Sequence, residues 1–277
     1  MRTLVHLSDL HFGRVDPLLL TPLAECVHAL SPDVVVVSGD LTQRARSAEF
    51  LLAKEFLERL PGPRVVVPGN HDVPLHNLAA RLLRPLEKFR RYIEPSLSPS
   101  FIDSEIAVFG VNTARSLVVK NGRISEVQVR ALREAFNNLG EVTVKVVVTH
   151  HPFDVPSHAD AAQLVGRAGM AMSEFARCGV DVLLAGHLHA GHGGDTGGRY
   201  ALAGYGALAL SAGTATSTRG RGEANSFNLL RLEKHRVELE RFEWVHKSQR
   251  FSAAGHQLFV REHKGWKLID HPLPETK

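Results

Sequence analysis

The chain has 277 residues, of which 44% are hydrophobic, enough to bury the core of one α/β domain. Its 33 basic and 29 acidic residues leave a formal charge of +4, too small an excess to predict a nucleic-acid partner. The first residues are typical of a strand and not of a signal peptide, and no apolar run approaches the roughly 20 residues of a membrane span. We therefore expect a cytoplasmic protein with no membrane partner, and its two cysteines suit that reducing compartment.

Strand and helix patterns alternate along the first two thirds of the chain. Valine-rich runs without polar alternation predict buried strands at 2–7, 33–37, 64–67, 106–111, 143–148 and 180–185. Helical patterns lie between the strands at 17–30, 47–60, 77–92 and 125–139. The last of these opens with a capping-box spacing from Ser125 to Gln128.

The last third of the chain has a different texture. A glycine-rich stretch at 186–198 precedes β-like segments near 200–210, 226–232 and 236–244. We predict one α/β domain over residues 1–277, a layered sandwich of two mixed sheets flanked by helices.

Two further segments carry separate predictions. Residues 152–172, rich in Pro, Gly and Ala, are expected to form a mobile lid. Residues 244–277 are expected to be a C-terminal extension whose aromatic side chains cover a sheet edge or a dimer contact, so a homodimer is one expectation.

Polar side chains of a few types follow the predicted strands, where each strand ends. They are Asp9, His11, Asp40, Asn70, His71, His150, His151, His187 and His189. The carboxyl ends of strands in an open α/β sheet face one side, so loops far apart in sequence meet in one crevice. We therefore expect these side chains to form one site, whereas His6, inside the first strand, is expected to be a hydrogen-bonded core residue.

The residue types are those of a metal site. Asp and Asn supply oxygen, His supplies nitrogen, and the absence of thiolates favours Mn²⁺, Fe²⁺/Fe³⁺ or Zn²⁺ in a reactive site over a structural four-cysteine zinc. In Asp9-x-His11 and His187-x-His189, an extended backbone would point both side chains the same way, so that each pair reaches one centre. Asp40, a single carboxylate, is the natural bridge between two ions.

Five ordered blocks carry a resemblance to a known family. They are Asp9-x-His11, Gly39-Asp40, Gly69-Asn70-His71-Asp72, His150 and Gly186-His187-x-His189. Together they resemble the calcineurin-like metallophosphoesterase superfamily and, within it, the bacterial class III cyclic-nucleotide phosphodiesterases.

The resemblance implies a centre of two divalent or mixed-valence ions. The first ion would be held by Asp9, His11, Asp40 and His189. The second would be held by Asp40, Asn70, His150 and His187. His71 would lie outside both coordination shells, contact the phosphate, and stabilise or protonate the leaving oxygen.

The electrostatics of such a centre predict the reaction. A water held between two cations loses its proton near neutral pH, since one bound metal already lowers its pKa from 15.7 to about 7. The predicted activity is hydrolysis of a small-molecule phosphodiester by a metal-bridging hydroxide, with a cyclic nucleotide such as 3',5'-cAMP as one candidate substrate. Alternatives are a phosphomonoesterase or a nucleotide or lipid pyrophosphatase on the same centre, a nuclease, or a non-catalytic binding module.

Several roles stay open at the level of sequence. Either His150 or His151 could be the ligand in its block, and the resemblance favours His150. Asp72 either orients His71 or is a structural turn residue. Three further candidates for the substrate's anion, each weighed against a surface or turn role, are Arg14, Asn112 and, in the predicted lid, Arg167.

Overall fold

The computed structural model describes residues 1–118, 120–140, 143–157, 159–202, 204–219, 222–262 and 265–269. The strands are β1 (Arg2–Leu7), β2 (Val34–Val37), β3 (Arg64–Val66), β4 (Ser100–Ile102), β5 (Ile106–Gly110), β6 (Val144–Val148), β7 (Val182–Ala185), β8 (His192–Asp195), β9 (Leu208–Ser211), β10 (Ser226–Glu233), β11 (Arg236–Val245), β12 (Arg250–Glu262) and β13 (Gly265–Ile269). The helices are α1 (Pro17–Ala29), α2 (Ser47–Glu58), α3 (Leu78–Leu83), α4 (Glu87–Tyr92), α5 (Glu126–Asn137), α6 (Ala168–Cys178) and α7 (Gly197–Tyr200). None of the helices in these ranges is both long enough and apolar enough to cross a bilayer.

The strands form two mixed sheets, as predicted. The first has the order β13-β12-β11-β10-β1-β2-β3, in which β1, β2 and β3 are parallel and the strands from β10 onward are antiparallel. The second has the order β4-β5-β6-β7-β9-β8, with four parallel strands between two antiparallel edge strands. The parallel strands of both sheets bring their carboxyl ends to the loops that carry the candidate ligands.

Both faces of the inner strands are buried, which explains their valine-rich sequences. In the first sheet Leu4 and Val36 pack between the two sheets. Their neighbours Val5 and Val37 point the other way and pack against helix side chains such as Phe50 of α2. A third apolar cluster lies under α5 and α6 on the outer face of the second sheet. The result is a layered α/β sandwich.

Two of the predicted elements differ from the structure for local reasons. The single helix expected at 77–92 is two helices, because Pro85 has no N–H to donate and disfavours a helical residue before it. The glycine-rich stretch at 186–198 contains a strand, β8, paired with β9, and the β-like segment near 200–210 begins only at Leu208.

The predicted extension at 244–277 is built into the first sheet over its described part. Trp244 and Phe251 pack in the outer core of that sheet, and Phe259 and Trp266 pack between the sheets. All four side chains are buried in these cores and do not cover an exposed edge or a dimer contact, whereas the homodimer itself stays a prediction. A register shift at Arg241 and Phe242 lets Phe251 and Phe259 of β12 face opposite sides of the sheet. Residues 270–277 of this segment lie outside the described residues.

The predicted lid has several anchors. Its first part is tied to α7, since Tyr200 Oη donates to the Phe153 carbonyl at 2.6 Å and Arg199 donates to Asp154 and to the Val155 carbonyl. Its last part belongs to α6, whose Met172 is fully buried. Motion of this segment and a single domain over the whole chain stay predictions.

A buried carboxylate, that of Asp181, joins the two sheets at the end opposite the candidate ligands. Asp181 precedes β7 of the second sheet and accepts hydrogen bonds from Lys234 Nζ at 2.8 Å and from the Arg261 guanidinium. Lys234 lies in the turn between β10 and β11, and Arg261 lies in β12, so both cations come from the first sheet. Replacing Asp181 with alanine removes the counter-ion of both cations, and we expect the free energy of unfolding to fall by about 2 to 4 kcal/mol. This range is discounted because the cations are 24% exposed. Urea unfolding measures the change.

The matched control is removal of a carboxylate from a surface pair. Glu58 lies 3.8 Å from Lys54 with more than half of its side chain exposed, so Glu58→Ala should change stability by less than about 0.5 kcal/mol. An Asp181→Ala variant as stable as this control would show that the contact between the sheets contributes nothing.

A candidate metal centre at the strand ends

The structure brings the predicted ligands together in one buried site. Asp9 and His11 follow β1, Asp40 follows β2, His150 follows β6, and His187 and His189 follow β7. All of these side chains are buried. The prediction that strand-end residues from distant parts of the chain converge is confirmed by this geometry.

Two groups of side chains can be distinguished within the site. In the first, His11 Nε2 and His189 Nε2 each lie 3.5 Å from Asp9 Oδ1. In the second, His150 lies beside His187, with ligand atoms of both within 4.8 Å of each other.

Asp40 lies between the two groups. Its Oδ2 is 3.7 Å from His11 Nε2 on one side and 3.4 Å from His150 Nε2 on the other. Asn70 Oδ1 completes the second group, at 3.1 Å from His150 Nε2. A single carboxylate therefore faces both groups.

The expectation that each closely spaced pair reaches one centre holds for Asp9 and His11 but is wrong for the histidine pair. His189 joins the first group, whereas His187 joins the second. The backbone is not extended at these positions, where φ is 70° at His187 and 58° at His189. The alternation that points residues i and i+2 of a strand the same way therefore does not apply, and sequence spacing does not decide which group each side chain joins.

Left-handed backbone is a shared property of these residues. Asp9, His11 and Asp40 also have positive φ, at 53°, 51° and 51°. Such residues cost about 1 to 3 kcal/mol each when they are not glycine, and they cluster where side chains must be held in one geometry. Here the strained backbone positions are those of residues whose side chains belong to the candidate metal centre.

The donor set fits a metal. Among the described residues, Asp9 Oδ1, His11 Nε2 and His187 Nε2 are buried without a hydrogen-bond partner. The 3.5 Å approach of His11 to Asp9 lacks hydrogen-bond geometry. A buried polar atom left unsatisfied costs about 1 to 3 kcal/mol, so three of them in one place call for a ligand. Nitrogen and carboxylate oxygen are the donors that manganese, iron or zinc accepts.

Neighbouring groups hold these side chains in position. The Ser38 carbonyl accepts from His150 Nδ1 at 2.8 Å, which leaves Nε2 directed at Asp40. Ser8 Oγ donates to Asp9 Oδ2 at 2.6 Å. Gly69 is required by close approach, since a Cβ there would lie 2.1 Å from Asp40 Oδ1. Such contacts fix ring orientation and ligand basicity.

The electrostatics favour an ionised Asp40. Burial raises its pKa, but the nearby His150, together with His11 and His71, outweighs burial and holds the pKa well below its usual range. For His150 burial lowers the pKa, but the neighbouring Asp40 carboxylate has the larger effect and raises this pKa to about 9. The carboxylate is therefore ionised and available to cations.

His151 differs from His150 in its contacts. Its Nε2 lies 3.0 Å from the Lys120 carbonyl, which only accepts, so Nε2 carries the proton. Its Nδ1 then accepts from Thr113 Oγ1 at 2.8 Å. Both ring nitrogens are occupied by the protein, and this makes His150 the better ligand candidate.

Asp72 has a structural role. Its carboxylate accepts from the backbone N–H groups of Leu41, Thr42 and Gly69 and from Thr42 Oγ1, at 2.9 to 3.2 Å. Burial and the nearby Asp40 raise its pKa to about 6. Asp72 thus fixes the loop after β2 to the loop after β3, and so places Asp40 relative to Asn70.

His71 lies at the mouth of the site, with its ring 5.0 Å from that of His11. The shorter of its two Nδ1 contacts is to the Gln43 carbonyl at 2.9 Å, so Nδ1 carries a proton. Arg219 Nη1 lies 3.1 Å from Nε2, and because a guanidinium only donates, Nε2 accepts. Burial lowers the pKa of His71, and the nearby Arg219 lowers it further. Asp40 raises this pKa but does not outweigh the other effects.

The other substrate candidates from the sequence are placed elsewhere. Asn112 Oδ1 accepts from Ala114 N at 2.9 Å, and Asn112 lines a larger neighbouring hollow of about 730 Å³. Arg167 Nη1 pairs with Glu126 of α5 at 3.5 Å. Arg14 is exposed, and its carbonyl accepts from Thr218 N at 2.9 Å. The described residues that line the site's cavity do not include these three.

A cavity of about 290 Å³ opens over the candidate ligands and contains residues that sequence reasoning missed. Its cationic lining residues are Arg44, Arg81, Lys120 and Arg219. Arg219 lies in the middle of the loop between β9 and β10 and not directly after a strand, so the strand-end rule does not single it out. Arg44 and Lys120 lie on connecting segments and Arg81 lies on α3, and no recognisable sequence pattern marks any of them.

Comparison with known proteins places the chain in a family. The sequence pattern of the family described as "Calcineurin-like phosphoesterase" matches residues 2–191. A protein of Arcobacter nitrofigilis named "Probable glycerophosphodiester phosphodiesterase GpdQ" is 30% identical over 164 residues, 57% of each chain. The 3',5'-cyclic adenosine monophosphate phosphodiesterase CpdA of Escherichia coli K12 is 29% identical over 175 residues, 62% of this chain and 59% of that protein. The matches span little more than half the length of these curated relatives.

Solved structures share the fold. A purple acid phosphatase from yellow lupin superposes with a TM-score of 0.69 at 11% identity, covering 95% of this chain and 54% of that one. A dimetal phosphatase from Danio rerio superposes with a TM-score of 0.64 at 15% identity, covering 91% and 98%. With the family pattern matched across all five ligand blocks, this chain belongs to the calcineurin-like phosphoesterase family.

Proposed function

We propose that this protein is a two-metal phosphodiesterase that hydrolyses a small-molecule phosphodiester, with a cyclic nucleotide as a candidate substrate. The observation that carries the proposal is the position of the Asp40 carboxylate between two groups of buried nitrogen and oxygen donors. Family membership supports a phosphoesterase, and both named relatives are described as phosphodiesterases.

The proposed ligand sets follow the two groups. One ion would be held by Asp9, His11, Asp40 and His189. The other would be held by Asp40, Asn70, His150 and His187. The contacts of Asp40 with members of both groups support its role as the shared ligand.

Each part of the chain has a defined task in this reaction. Bound ions would supply an acidified water and positive charge at the phosphoryl group. Asp40 and Asp72 together fix the spacing of the loops, Ser38 holds the His150 ring, and His71, which lines the cavity, would face the phosphate of the substrate. The proposed ligands are buried, and burial strengthens electrostatic interactions at the site.

Other features of the proposal come from the sequence alone. These are the choice among manganese, iron and zinc, the cytoplasmic location and the homodimer. A phosphomonoesterase is the second candidate, because the two solved neighbours are described as phosphatases. The nucleotide or lipid pyrophosphatase is a third on the same centre.

A substrate panel on the manganese-loaded protein tests the proposal. We expect bis-para-nitrophenyl phosphate to be cleaved faster than para-nitrophenyl phosphate, 3',5'-cAMP to be hydrolysed, and a chelator to abolish both activities. Zinc-loaded and iron-loaded samples serve as parallel arms, with metal content measured in each. Faster cleavage of the monoester with intact cAMP in every arm would reject the diesterase.

A further inference from the structure

Arg219 stands out among the cations of the cavity because of where its guanidinium lies. Nη1 is 3.1 Å from His71 Nε2 and 3.4 Å from Gln43 Oε1, and all three residues line the cavity over the candidate ligands. Both of these partners are uncharged acceptors, an amide oxygen and the imidazole nitrogen that lacks a proton, so neither offsets the charge of the guanidinium. Its positive charge is therefore not neutralised where an anionic substrate would enter.

The other arginines of the cavity are held differently. Arg81 is buried and donates to the carbonyls of Pro74 and Val118, so its donors already have partners. Arg44 donates to the exposed His76 at 2.9 Å. Arg219 is the arginine that reaches the histidine at the mouth of the metal centre.

The segment that carries Arg219 is fixed to the ligand loop after β1. Thr214 Oγ1 donates to the Asp9 carbonyl at 2.7 Å, and Thr216 Oγ1 donates to the Leu10 carbonyl at 2.8 Å. Both threonines are buried.

Two more contacts continue this attachment up to the arginine. Thr218 N donates to the Arg14 carbonyl at 2.9 Å, and Arg219 N donates to Ser217 Oγ at 3.1 Å. The hydroxyl residues within 214–218 thus hold this loop against the segment that carries the proposed ligands Asp9 and His11. An arginine presented from such a loop has its backbone position set before substrate arrives.

We infer that Arg219 binds the phosphoryl group of the substrate, exchanging its hydrogen bond to His71 Nε2 for one to a non-bridging phosphoryl oxygen. This inference rests on the proposed function of the site, and it adds a phosphate-binding residue outside the five ligand blocks. A guanidinium suits the role because its donors match phosphate geometry and it stays charged at every working pH. The exchange also frees His71 Nε2 to face the substrate.

Binding of inorganic phosphate to the metal-loaded protein provides a test that does not depend on turnover. By calorimetry we expect Arg219→Ala to raise the Kd for phosphate by about 10- to 100-fold, the range for a charge-assisted hydrogen bond. Arg219→Lys should give a Kd between those of wild type and Arg219→Ala, because an ammonium keeps the positive charge but lacks the planar, two-pronged set of donors of a guanidinium. Metal content should equal that of wild type in both variants, and circular dichroism reports whether they fold.

Hydrolysis of bis-para-nitrophenyl phosphate gives a second readout. We expect added guanidinium chloride to restore part of the kcat/KM lost in Arg219→Ala and to give no gain in wild type. The matched control is Arg130→Ala, an exposed arginine on α5, which should match wild type in phosphate affinity and rate.

The outcomes separate this inference from the proposed function. A wild-type protein that binds phosphate through Arg219 but cleaves no diester would reject the proposed function and keep the phosphate site. Unchanged phosphate affinity in Arg219→Ala with both metals present, or no phosphate binding by the metal-loaded wild type, would overturn the assignment of Arg219.

Discussion

Replacing Asp40 with alanine is expected to remove metal from both positions at once and to lower turnover by at least about 10³-fold. Asp40 Oδ2 faces His11 on one side and His150 on the other, so its loss affects both groups of donors. Contacts one shell further out already change metal affinity by about 10- to 100-fold, and a shared ligand should contribute more. Turnover falls with the ions, because they supply the acidified water. Elemental analysis beside the rate measurement checks both.

Two variants sharpen this experiment. Asp40→Asn keeps the shape and one oxygen but loses the charge, so it should retain some metal while losing most of the activity. Asp160→Ala removes an exposed carboxylate whose contact is the backbone of Ala162 and should behave as wild type in metal content. Two ions per chain in Asp40→Ala would show that Asp40 is not the shared ligand.

Replacing His71 with alanine is expected to separate metal binding from catalysis. His71 is half-buried at the cavity mouth, and its ring nitrogens contact the Gln43 carbonyl and Arg219. We therefore expect normal metal content and a rate lower by about 10²- to 10⁴-fold, the range for a positioned acid or base. Metal analysis and steady-state kinetics on the same sample measure the two effects.

The leaving group shows where His71 acts. If it stabilises or protonates the leaving oxygen, the loss should be larger for a diester with a poor alkoxide leaving group than for one that releases para-nitrophenolate. His235→Ala, which truncates an exposed histidine in the turn between β10 and β11, serves as the control. Equal losses for the two esters would assign His71 a positioning role, and loss of metal would contradict its placement outside the ligand sets.

The sequence by itself determined the layers of the fold and the membership of the site. A valine-rich run without polar alternation fits a strand whose two faces are both buried, in a sheet covered on each side. Polar residues directly after such parallel strands come together at the edge formed by their carboxyl ends. That is why Asp9, Asp40, His150 and His187 could be assigned to one site without coordinates. The sequence also contained the signal that divides the helix predicted at 77–92, since Pro85 has no N–H to donate to a helical hydrogen bond.

Only the tertiary structure decided how those residues divide. Sequence spacing predicts side-chain direction only for an extended chain, and φ is positive in both closely spaced pairs, so spacing does not decide which group His187 or His189 joins. The separate roles of His150 and His151 depend on which carbonyl each ring meets, those of Ser38 and Lys120.

Arg219 is the clearest case of a role set by the tertiary structure. It lies 148 residues from His71 in the sequence, yet Nη1 is 3.1 Å from the histidine ring. Thr214 and Thr216 help to fix its position through hydrogen bonds to the loop after β1, the loop that carries the proposed ligands Asp9 and His11. Contacts between loops follow from how two sheets pack, and no local pattern in the sequence encodes that packing.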